Sequence, residues 1–251
     1  MSQTTGPSAA ATWLDVDLGD AAANLALDEA ILEAANEGGL AGPVVRTWMA
    51  AEPTVVLGSS SRIAEEVDLE ACAAAGARLV RRPSGGLTVL LGPGCLMWSV
   101  VAPHPGGAPA IEAVHAAMLE PLATALRAAG RHVERRGTSD LALVDGRSER
   151  KVSGNALRVR RAAVLYHGTL LDAFDLDAVS RLLRHPPREP GYRAGRPHAT
   201  FLANLGLGRA SLAGIVRAAF AADAAAAEWP RERAAALVAE RYAQSDWTHR
   251  L

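Results

Sequence analysis

Two short segments of the sequence hold the residue types that anion chemistry needs. Residues 81–86 read Arg-Arg-Pro-Ser-Gly-Gly and follow a predicted strand, and residues 150–156 read Arg-Lys-Val-Ser-Gly-Asn-Ala. Glycines let a backbone approach a ligand and point N–H groups at it, while arginines supply charge for a phosphate or carboxylate. The first segment is therefore an anion cradle or, alternatively, a hairpin turn with solvated arginines. It matches neither the P-loop spacing nor the dinucleotide fingerprint Gly-x-Gly-x-x-Gly.

Lys151, in the second segment, is the only lysine among 26 Lys and Arg residues. A lysine that survives where arginine has replaced the others is a candidate for chemistry. Its compact ammonium suits contact with an acyl carbonyl and a phosphate together, for which a planar guanidinium is poorly shaped. Strand alternation predicts that Lys151 and Ser153 share a face and that Val152 points the other way. The alternative is an exposed lysine on an edge strand.

Three further positions are candidates, each with a structural alternative. His167 and Gly168 interrupt an apolar strand, and a glycine inside a strand often marks the close approach of a ligand; a hydrogen-bonded core histidine is the alternative. Asp140 stands at the start of a predicted strand, where its carboxylate could hold Mg²⁺ or ATP; an ordinary turn aspartate is the alternative. Cys95 reads first as a small buried hydrophobe, and it is kept as a possible nucleophile because it closely follows the cradle.

Composition narrows the class of protein. The 251 residues are 49% apolar with a formal net charge of −1, which excludes overall disorder and gives no indication of a nucleic-acid or anionic membrane partner. The two cysteines, Cys72 and Cys95, have neither disulfide-framework nor zinc-ligand spacing, so no structural metal is expected. The start lacks a signal-peptide pattern, and Gly-Pro-Gly interrupts the longest apolar run. These features predict a cytoplasmic protein without a membrane span.

The remaining pattern alternates between helices and strands. Asp20 caps a predicted helix over residues 21–36, and strands over residues 44–48 and 54–58 are expected to pair with each other. Further helices are predicted over residues 65–75, 110–129, 177–183, 209–222 and 230–242, and further strands over residues 12–19, 77–82, 87–91, 95–101, 132–136, 140–146, 149–159 and 162–171. Without a regular β-α-β alternation, this order favours an α+β domain. We expect a disordered tail over residues 1–10 and a single domain over residues 11–251.

Taken in order, these segments resemble the lipoate–protein ligase A family, within the larger group of biotin and lipoate protein ligases. The similarity runs from about residue 24 to about residue 205 and is carried by NLALDEAIL, VVRTW and PTVVLG, RLVRRPSGG, SDLAL with RKVSGNALR, and YHGTLL. The succession of RRPSGG, RKVSG and HGTLL is the most specific part. The resemblance implies a central mixed sheet with flanking helices. It also implies a two-step reaction, in which lipoate and MgATP give lipoyl-adenylate and pyrophosphate and the lipoyl group then passes to a lysine of an acceptor domain.

Motif positions carry site residues over from this family. The resemblance implies that Lys151 touches the acyl carbonyl and phosphate, and that Asp140 lies by the nucleotide and Mg²⁺. The residues that would line the lipoyl-adenylate site are Arg82, Ser84, Gly85, Gly86, Ser153, Gly154, His167, Gly168 and Thr169. ATP, Mg²⁺ and lipoate would then be substrates, and the protein partner would carry a lipoyl-acceptor domain.

The sequence departs from the family pattern in three places. Leu87 replaces a third glycine, residues 91–92 replace a His-Asp pair, and Cys95 stands where asparagine is common. The family also often carries a C-terminal accessory domain, for which residues 11–251 leave no room. Either a separate polypeptide supplies it, or the chain transfers a preformed acyl group without ATP.

Two alternative functions follow from these departures. A cysteine-dependent octanoyl or lipoyl transferase of the same fold would need a thiol, and Cys95 would have to serve because the segment RHVERRGTSD contains none. A non-catalytic module that binds lipoyl domains is the other alternative. Biotin ligation is disfavoured because the Gly-Arg-Gly-Arg-x-Gly signature is absent. The basic segment 186–202 offers Arg193, Arg196 and His198 as a lid or as contacts to the acceptor.

Overall fold

The computed structural model describes residues 10–104 and 109–251. Residues 1–9 of the predicted tail therefore lie outside the described residues. The first helix, α1, runs from Ala21 to Asn36. It begins where the Asp20 carboxylate accepts a hydrogen bond from the Ala23 N–H at 2.8 Å. The predicted helix and its cap are confirmed.

Eleven strands are present in the described residues and form two sheets. Their bounds are β1 Thr12–Trp13, β2 Val44–Met49, β3 Thr54–Leu57, β4 Arg78–Arg81, β5 Val89–Leu91, β6 Cys95–Pro103, β7 Val133–Arg136, β8 Asp140–Asp145, β9 Ser148–Val159, β10 Ala163–Leu171 and β11 Ala224–Ala225. The larger sheet has the order β11-β1-β2-β6-β10-β9-β8-β7, and the smaller has the order β4-β3-β5. Both sheets contain parallel and antiparallel pairs, so both are mixed.

The expected pairing of β2 with β3 is wrong, because the two strands belong to different sheets. β2 lies between β1 and β6 in the larger sheet, whereas β3 lies between β4 and β5 in the smaller one. All four residues of β3 are buried. A strand buried on both faces needs a layer on each side, and β3 has this cover only as the centre of its own sheet.

The remaining helices are mostly short. They are α2 Ile63–Glu66, α3 Leu69–Ala74, α4 Ile111–Ala128, α5 Leu176–Leu182, α6 His198–Phe201, α7 Arg209–Ala219, α8 Arg231–Leu237 and α9 Ser245–Thr248, with a 3₁₀ turn at Gly191–Arg193 and a π-helical turn at Val238–Tyr242. The single helix predicted over residues 65–75 is divided into α2 and α3. Val67 is extended, with φ −124° and ψ 138°, and Asp68 then caps the second helix by accepting from the Ala71 N–H.

The two faces of the larger sheet are covered by different layers. On one face lie α1 and the smaller sheet, and on the other lie α4 and α7. Alternation along β10 serves both layers, since Leu165 and Leu171 pack toward α1 while Tyr166 and Leu170 pack toward α4 and α7. A mixed sheet flanked by helices confirms the α+β fold class. Within the described segments, every helix is too short or too polar to cross a bilayer.

Candidate active site

A cavity of about 650 Å³ opens between the two sheets. This volume falls in the range of roughly 300–1,000 Å³ that is typical of small-molecule sites. Buried apolar side chains of both sheets and α1 line one part, namely Leu25, Val56, Leu90, Met97 and Leu171. Polar side chains line the other part, including Asp140, Lys151, Arg188, Glu189 and His198. The cavity therefore offers room for an aliphatic chain and for a charged group.

Arg82 shapes the loop over residues 82–87, which contains all but the first residue of the cradle motif 81–86 and is called the cradle from here on. Its guanidinium donates to the carbonyls of Val56, Gly85 and Leu87 at 3.2, 2.8 and 2.9 Å, and its Nε donates to Ser84 Oγ at 3.0 Å. Burial lowers the pKa of Arg82 to about 10, an effect that Glu66 opposes, so the guanidinium stays charged at neutral pH. Arg82 lines the cavity, yet most of its N–H groups hold the cradle itself.

The neighbouring arginine faces elsewhere. Arg81 donates to the carbonyls of Gly58 and Ser61 at 2.8 Å and to that of Thr248 at 3.0 Å. It is fully buried and ties the C-terminal helix α9 to the smaller sheet. Of the two arginines in the cradle motif, Arg82 is the one that lies on the cavity.

Ser84 joins the cradle to the larger sheet through His167. The Ser84 Oγ lies 2.6 Å from His167 Nε2, and both side chains are buried. Since Ser84 Oγ already accepts from Arg82, its own proton is free to be donated to His167 Nε2. Burial, with a smaller effect from Arg82, lowers the pKa of His167 to about 4 against the opposing effect of Asp28. The ring is therefore neutral at pH 7, and donation from Ser84 to Nε2 assigns its one proton to Nδ1.

His167 Nδ1 faces a buried ion pair. The Asp28 Oδ2 atom lies 4.0 Å away, and neither atom has a hydrogen-bond partner in the structure. Asp28 Oδ1 accepts from Arg46 at 2.7 Å and from Ser99 Oγ at 2.8 Å. These contacts hold the carboxylate in a fixed place beside the ring. A chain of buried polar groups thus runs from α1 and β2 to the cradle.

A β-bulge sets the direction of Lys151. Leu141 pairs with Ser153 and Ala142 pairs with Lys151, which leaves Val152 as the extra residue of β9. Neighbouring residues of β8 face opposite sides of the sheet, so their partners Lys151 and Ser153 do too. The expected common face of Lys151 and Ser153 is wrong for this reason. Ser153 is buried and is not among the described residues that line the cavity.

The bulge brings Lys151 to the face that carries Asp140. The Lys151 Nζ lies 2.8 Å from Asp140 Oδ1. Gly154 pairs with Asp140 and leaves room for the ammonium, because a Cβ at this position would lie 2.8 Å from Lys151 Nζ. The Gly154 N–H donates to Thr169 Oγ1 at 3.1 Å, which places Thr169 at the same part of the cavity. Lys151, Asp140, Gly154 and Thr169 all line the cavity.

Cys95 is badly placed for a nucleophile. It pairs with Leu171 at the end of β10, is completely buried, and does not occur among the described cavity-lining residues. Burial raises the pKa of its thiol to about 12. A nucleophile needs an accessible thiolate, so the geometry argues against this role. Cys72 is also buried, and burial raises its pKa as well.

The structure brings together most of the residues singled out in the sequence. Those that line the cavity are Arg82, Gly86, Asp140, Lys151, Gly154, His167, Gly168 and Thr169. Ser84 lies one contact behind them, and Gly85 accepts from Arg82 within the cradle. No group of three His, Cys, Asp or Glu side chains suited to a metal ion occurs in residues 10–104 and 109–251.

Sequence reasoning missed three residues of the site. Asp28 lies in the segment NLALDEAIL, whose helical pattern alone gives no reason to single out its carboxylate. Asn155 donates to the Ser139 carbonyl at 2.7 Å and so supports the strand start at Asp140. Tyr192, in the basic segment 186–202, donates from its hydroxyl to Asp140 Oδ2 at 2.9 Å. An asparagine directly after the Ser-Gly of β9 was the one available signal.

Two sheets around a cavity, with the cradle on one side and a lysine–aspartate pair on the other, fit a catalytic domain of the class that contains lipoate ligases and octanoyltransferases. The chain belongs to the family of lipoyl protein ligase A/B catalytic domains, whose model matches residues 20–205. It is 31% identical over 218 residues to a protein of Kyrpidia tusciae named octanoyltransferase LipM; the match covers 77% of this chain and 79% of that protein.

Solved structures share the fold. One is a bipartite lipoate protein ligase of Thermoplasma acidophilum, described together with its E2 lipoyl domain, with a TM-score of 0.81, 23% identity and coverage of 96% of each chain. Another is a lipoate-protein ligase A bound with ATP, with a TM-score of 0.77, 23% identity, and coverage of 96% of this chain and 98% of that one. At these identities the likeness establishes the fold. Both solved structures are named ligases, whereas the Kyrpidia tusciae relative is named an octanoyltransferase.

Proposed function

We propose that this chain is a lipoate–protein ligase, which activates lipoate with MgATP and transfers the lipoyl group to a lysine of a lipoyl-acceptor domain. The observation that carries the proposal is the position of Lys151, the only lysine of the chain, on a cavity whose other side is the cradle. Both steps of this reaction develop negative charge near an acyl carbonyl and a phosphate. A positioned ammonium stabilises such charge.

Each part of the cavity has a role in this proposal. The apolar part, lined by Leu25, Met97 and Leu171, takes the aliphatic chain and the dithiolane. The carboxyl end then lies toward Lys151, and the cradle backbone at Gly86, which lines the cavity, is the proposed contact to the phosphate. Because Arg82 is engaged in holding the cradle, its main work is to fix the loop.

Asp140 is the proposed contact to the nucleotide and its Mg²⁺. Carboxylate oxygens are the ligands that Mg²⁺ prefers. In the structure, however, Asp140 Oδ1 bonds to Lys151 and Oδ2 to Tyr192. Contact with MgATP therefore requires one of these bonds to open.

Octanoyl transfer is the second candidate, favoured by the similarity to octanoyltransferase LipM. A transferase of the cysteine-dependent kind needs a thiol beside the acyl group. The chain has two cysteines, Cys72 and Cys95, and both are buried. Burial raises the pKa of the Cys95 thiol to about 12. This absence of a reactive thiol is why we favour activation by ATP.

The proposed partner is a lipoyl domain. The Thermoplasma acidophilum ligase is described as bipartite and with an E2 lipoyl domain, and it covers 96% of this chain. We propose that a separate polypeptide completes this enzyme in the same way. The cytoplasmic location stays a prediction.

Acylation of a lipoyl-acceptor domain tests the proposal. Lipoate and MgATP, with and without a second polypeptide, should add one lipoyl mass to the acceptor, and omission of ATP should abolish the gain. Transfer from octanoyl-carrier protein without ATP would establish the transferase instead. No transfer under either condition, together with tight binding of the acceptor domain, would establish a binding module.

A further inference from the structure

The segment over residues 186–202, which we call the strap, lies across the polar part of the cavity. It contains the 3₁₀ turn Gly191–Arg193 and helix α6, and it supplies Arg188, Glu189, Arg193 and His198 to the cavity lining. Its far end is bound to the strand of Lys151, since the Ala203 N–H donates to the Lys151 carbonyl at 2.9 Å. Arg196 also donates to the Glu149 carbonyl of β9 at 2.8 Å. The strap is therefore attached beside the ammonium.

The cationic side chains of the strap hold the strap itself. The guanidinium groups of Arg193 and Arg196 lie over the Phe201 ring, at 4.8 and 5.2 Å from its centroid. Arg193 Nε donates to the Arg196 carbonyl at 2.9 Å, and Arg196 donates to the Tyr192 carbonyl at 2.7 Å. Such contacts fix the fold of the segment. Arg193 Nη2 is buried without a hydrogen-bond partner among the described residues, so Arg193 keeps a donor for a ligand at the cavity.

Tyr192 reaches from the strap to the reactive pair. Its hydroxyl donates to Asp140 Oδ2 at 2.9 Å, and its ring packs 5.2 Å from that of Phe201. Burial and the Asp140 carboxylate raise the pKa of Tyr192, so the phenol keeps the proton that it donates. Gly137, at φ +55°, lets the strap come close, because a Cβ there would lie 3.1 Å from Pro190 Cβ.

Asp140 is held at both oxygens as a result. Oδ1 meets the Lys151 ammonium at 2.8 Å, and Oδ2 meets the Tyr192 hydroxyl. A carboxylate bonded at one oxygen rotates easily, whereas bonds at both oxygens fix its plane. The direction in which Lys151 Nζ points then depends on the strap as well as on β9.

We propose that Tyr192 is a positioning residue: its hydroxyl, carried by the strap, fixes the Asp140 carboxylate and through it the Lys151 ammonium. Without this hydroxyl, Asp140 would be bonded at Oδ1 alone, and the carboxylate and the ammonium would be free to turn together. This inference rests on the proposed function for its meaning in catalysis. The contact itself is testable without any activity.

A single nuclear magnetic resonance signal tests the contact. Protein labelled with ¹⁵N-lysine has one side-chain ammonium, because Lys151 is the only lysine. In the Tyr192→Phe variant we expect the Nζ resonance to shift and its hydrogens to exchange faster with water. The control is Tyr166→Phe, which removes a buried hydroxyl bonded to His115 on the opposite face of the sheet and should leave the resonance in place. A Tyr192→Phe spectrum identical to that of the parent protein overturns the proposal.

A double-mutant cycle tests the role in catalysis. We expect Tyr192→Phe to lower kcat roughly tenfold, the usual loss for a hydrogen bond to a charged group, with little change in KM for lipoate. In an Asp140→Asn background the same change should have no further effect, since the hydroxyl acts through Asp140. Equal losses in both backgrounds contradict positioning through Asp140. A protein without ATP-dependent activity would defeat the proposed function, while the resonance would still report on the contact.

Discussion

The two sides of the cavity are built differently. On the cradle side, Arg82, Ser84 and His167 are 6, 0 and 3% exposed and bond to one another in a continuous chain. On the ammonium side, the Lys151 side chain is 25% exposed and is held by one ion pair, to the Asp140 carboxylate that Tyr192 of the strap also bonds. One side consists of buried groups with fixed partners, and the other of a flexible side chain near solvent.

This difference indicates that the cradle is the rigid side of the cavity and that the Lys151–Asp140 pair is the adjustable side. Buried polar groups are costly to leave without partners, so we expect the cradle to keep its geometry when a ligand binds. A partly exposed ion pair contributes little free energy and opens easily. In the proposed reaction a substrate anion would compete with Asp140 for the Lys151 ammonium, and the cradle would hold that anion from the other side.

The largest effect is expected from Lys151→Arg. The variant keeps the positive charge and the fold, but a planar guanidinium spreads its charge over a fork and does not reproduce the compact ammonium beside Asp140. We expect acyl transfer to the acceptor domain to fall by roughly a hundredfold to a thousandfold. Arg150→Gln, at the exposed neighbouring position, serves as the control and should stay within about twofold of the parent rate. Normal activity of Lys151→Arg would remove Lys151 from the mechanism.

The pH dependence of stability tests the buried side. His167 has a pKa of about 4 in the folded protein, whereas an unfolded histidine titrates near 6.5. Below pH 6.5 the unfolded state therefore binds more protons than the folded state. The contribution of neutral His167 to the free energy of unfolding is complete above pH 6.5 and is lost as the pH falls toward 4. Between pH 7.5 and pH 5 the loss should be about 2 kcal/mol in urea unfolding. His167→Gln should lack this part of the pH dependence, and an unchanged profile in that variant would refute the assignment.

Gly154→Ala tests the adjustable side. The new Cβ would lie 2.8 Å from Lys151 Cε and Nζ, and the end of a flexible side chain moves away at little cost. We therefore expect stability within about 1 kcal/mol of the parent protein and an activity loss of roughly tenfold. Gly214→Ala, in α7 with no atom within 4 Å of the new Cβ, is the matched control and should keep full activity. Full activity of Gly154→Ala would mean that the position of the ammonium does not matter.

Cys95→Ala should have the smallest effect. The substitution removes a small buried group far from solvent, at a cost of about 1 kcal/mol in stability. Acyl transfer should stay within about twofold, since no step of the proposed reaction uses the thiol. Loss of all activity in a folded Cys95→Ala protein would favour the cysteine-dependent transferase.

Local sequence signals predicted the elements well where the structure depends on local contacts. The Asp20 cap, the helix that follows it and the strand around His167 all carry their own patterns, and the structure confirms them. The pairing of β2 with β3 failed because sheet membership is decided by partners far away in sequence. Val152 illustrates a further limit: no residue type marks it as a bulge, yet it reverses the side on which Lys151 lies.

The candidate site shows the same division. Motif order pointed to Arg82, Asp140 and Lys151, and these residues do line one cavity. Asp28 lies beside His167, which is 139 positions away in sequence, and Tyr192 bonds to Asp140, which is 52 positions away. Periodicity does not reveal such distant contacts. The catalytic roles of all these residues stay predictions until variants are measured.

Exchange of labelled pyrophosphate into ATP tests the central claim most directly, because it reports adenylation before any acceptor is needed. We expect exchange that requires both lipoate and Mg²⁺, with the second polypeptide present, and that is lost in Lys151→Arg. Absence of exchange, together with transfer from octanoyl-carrier protein to a lipoyl domain in the absence of ATP, would contradict it.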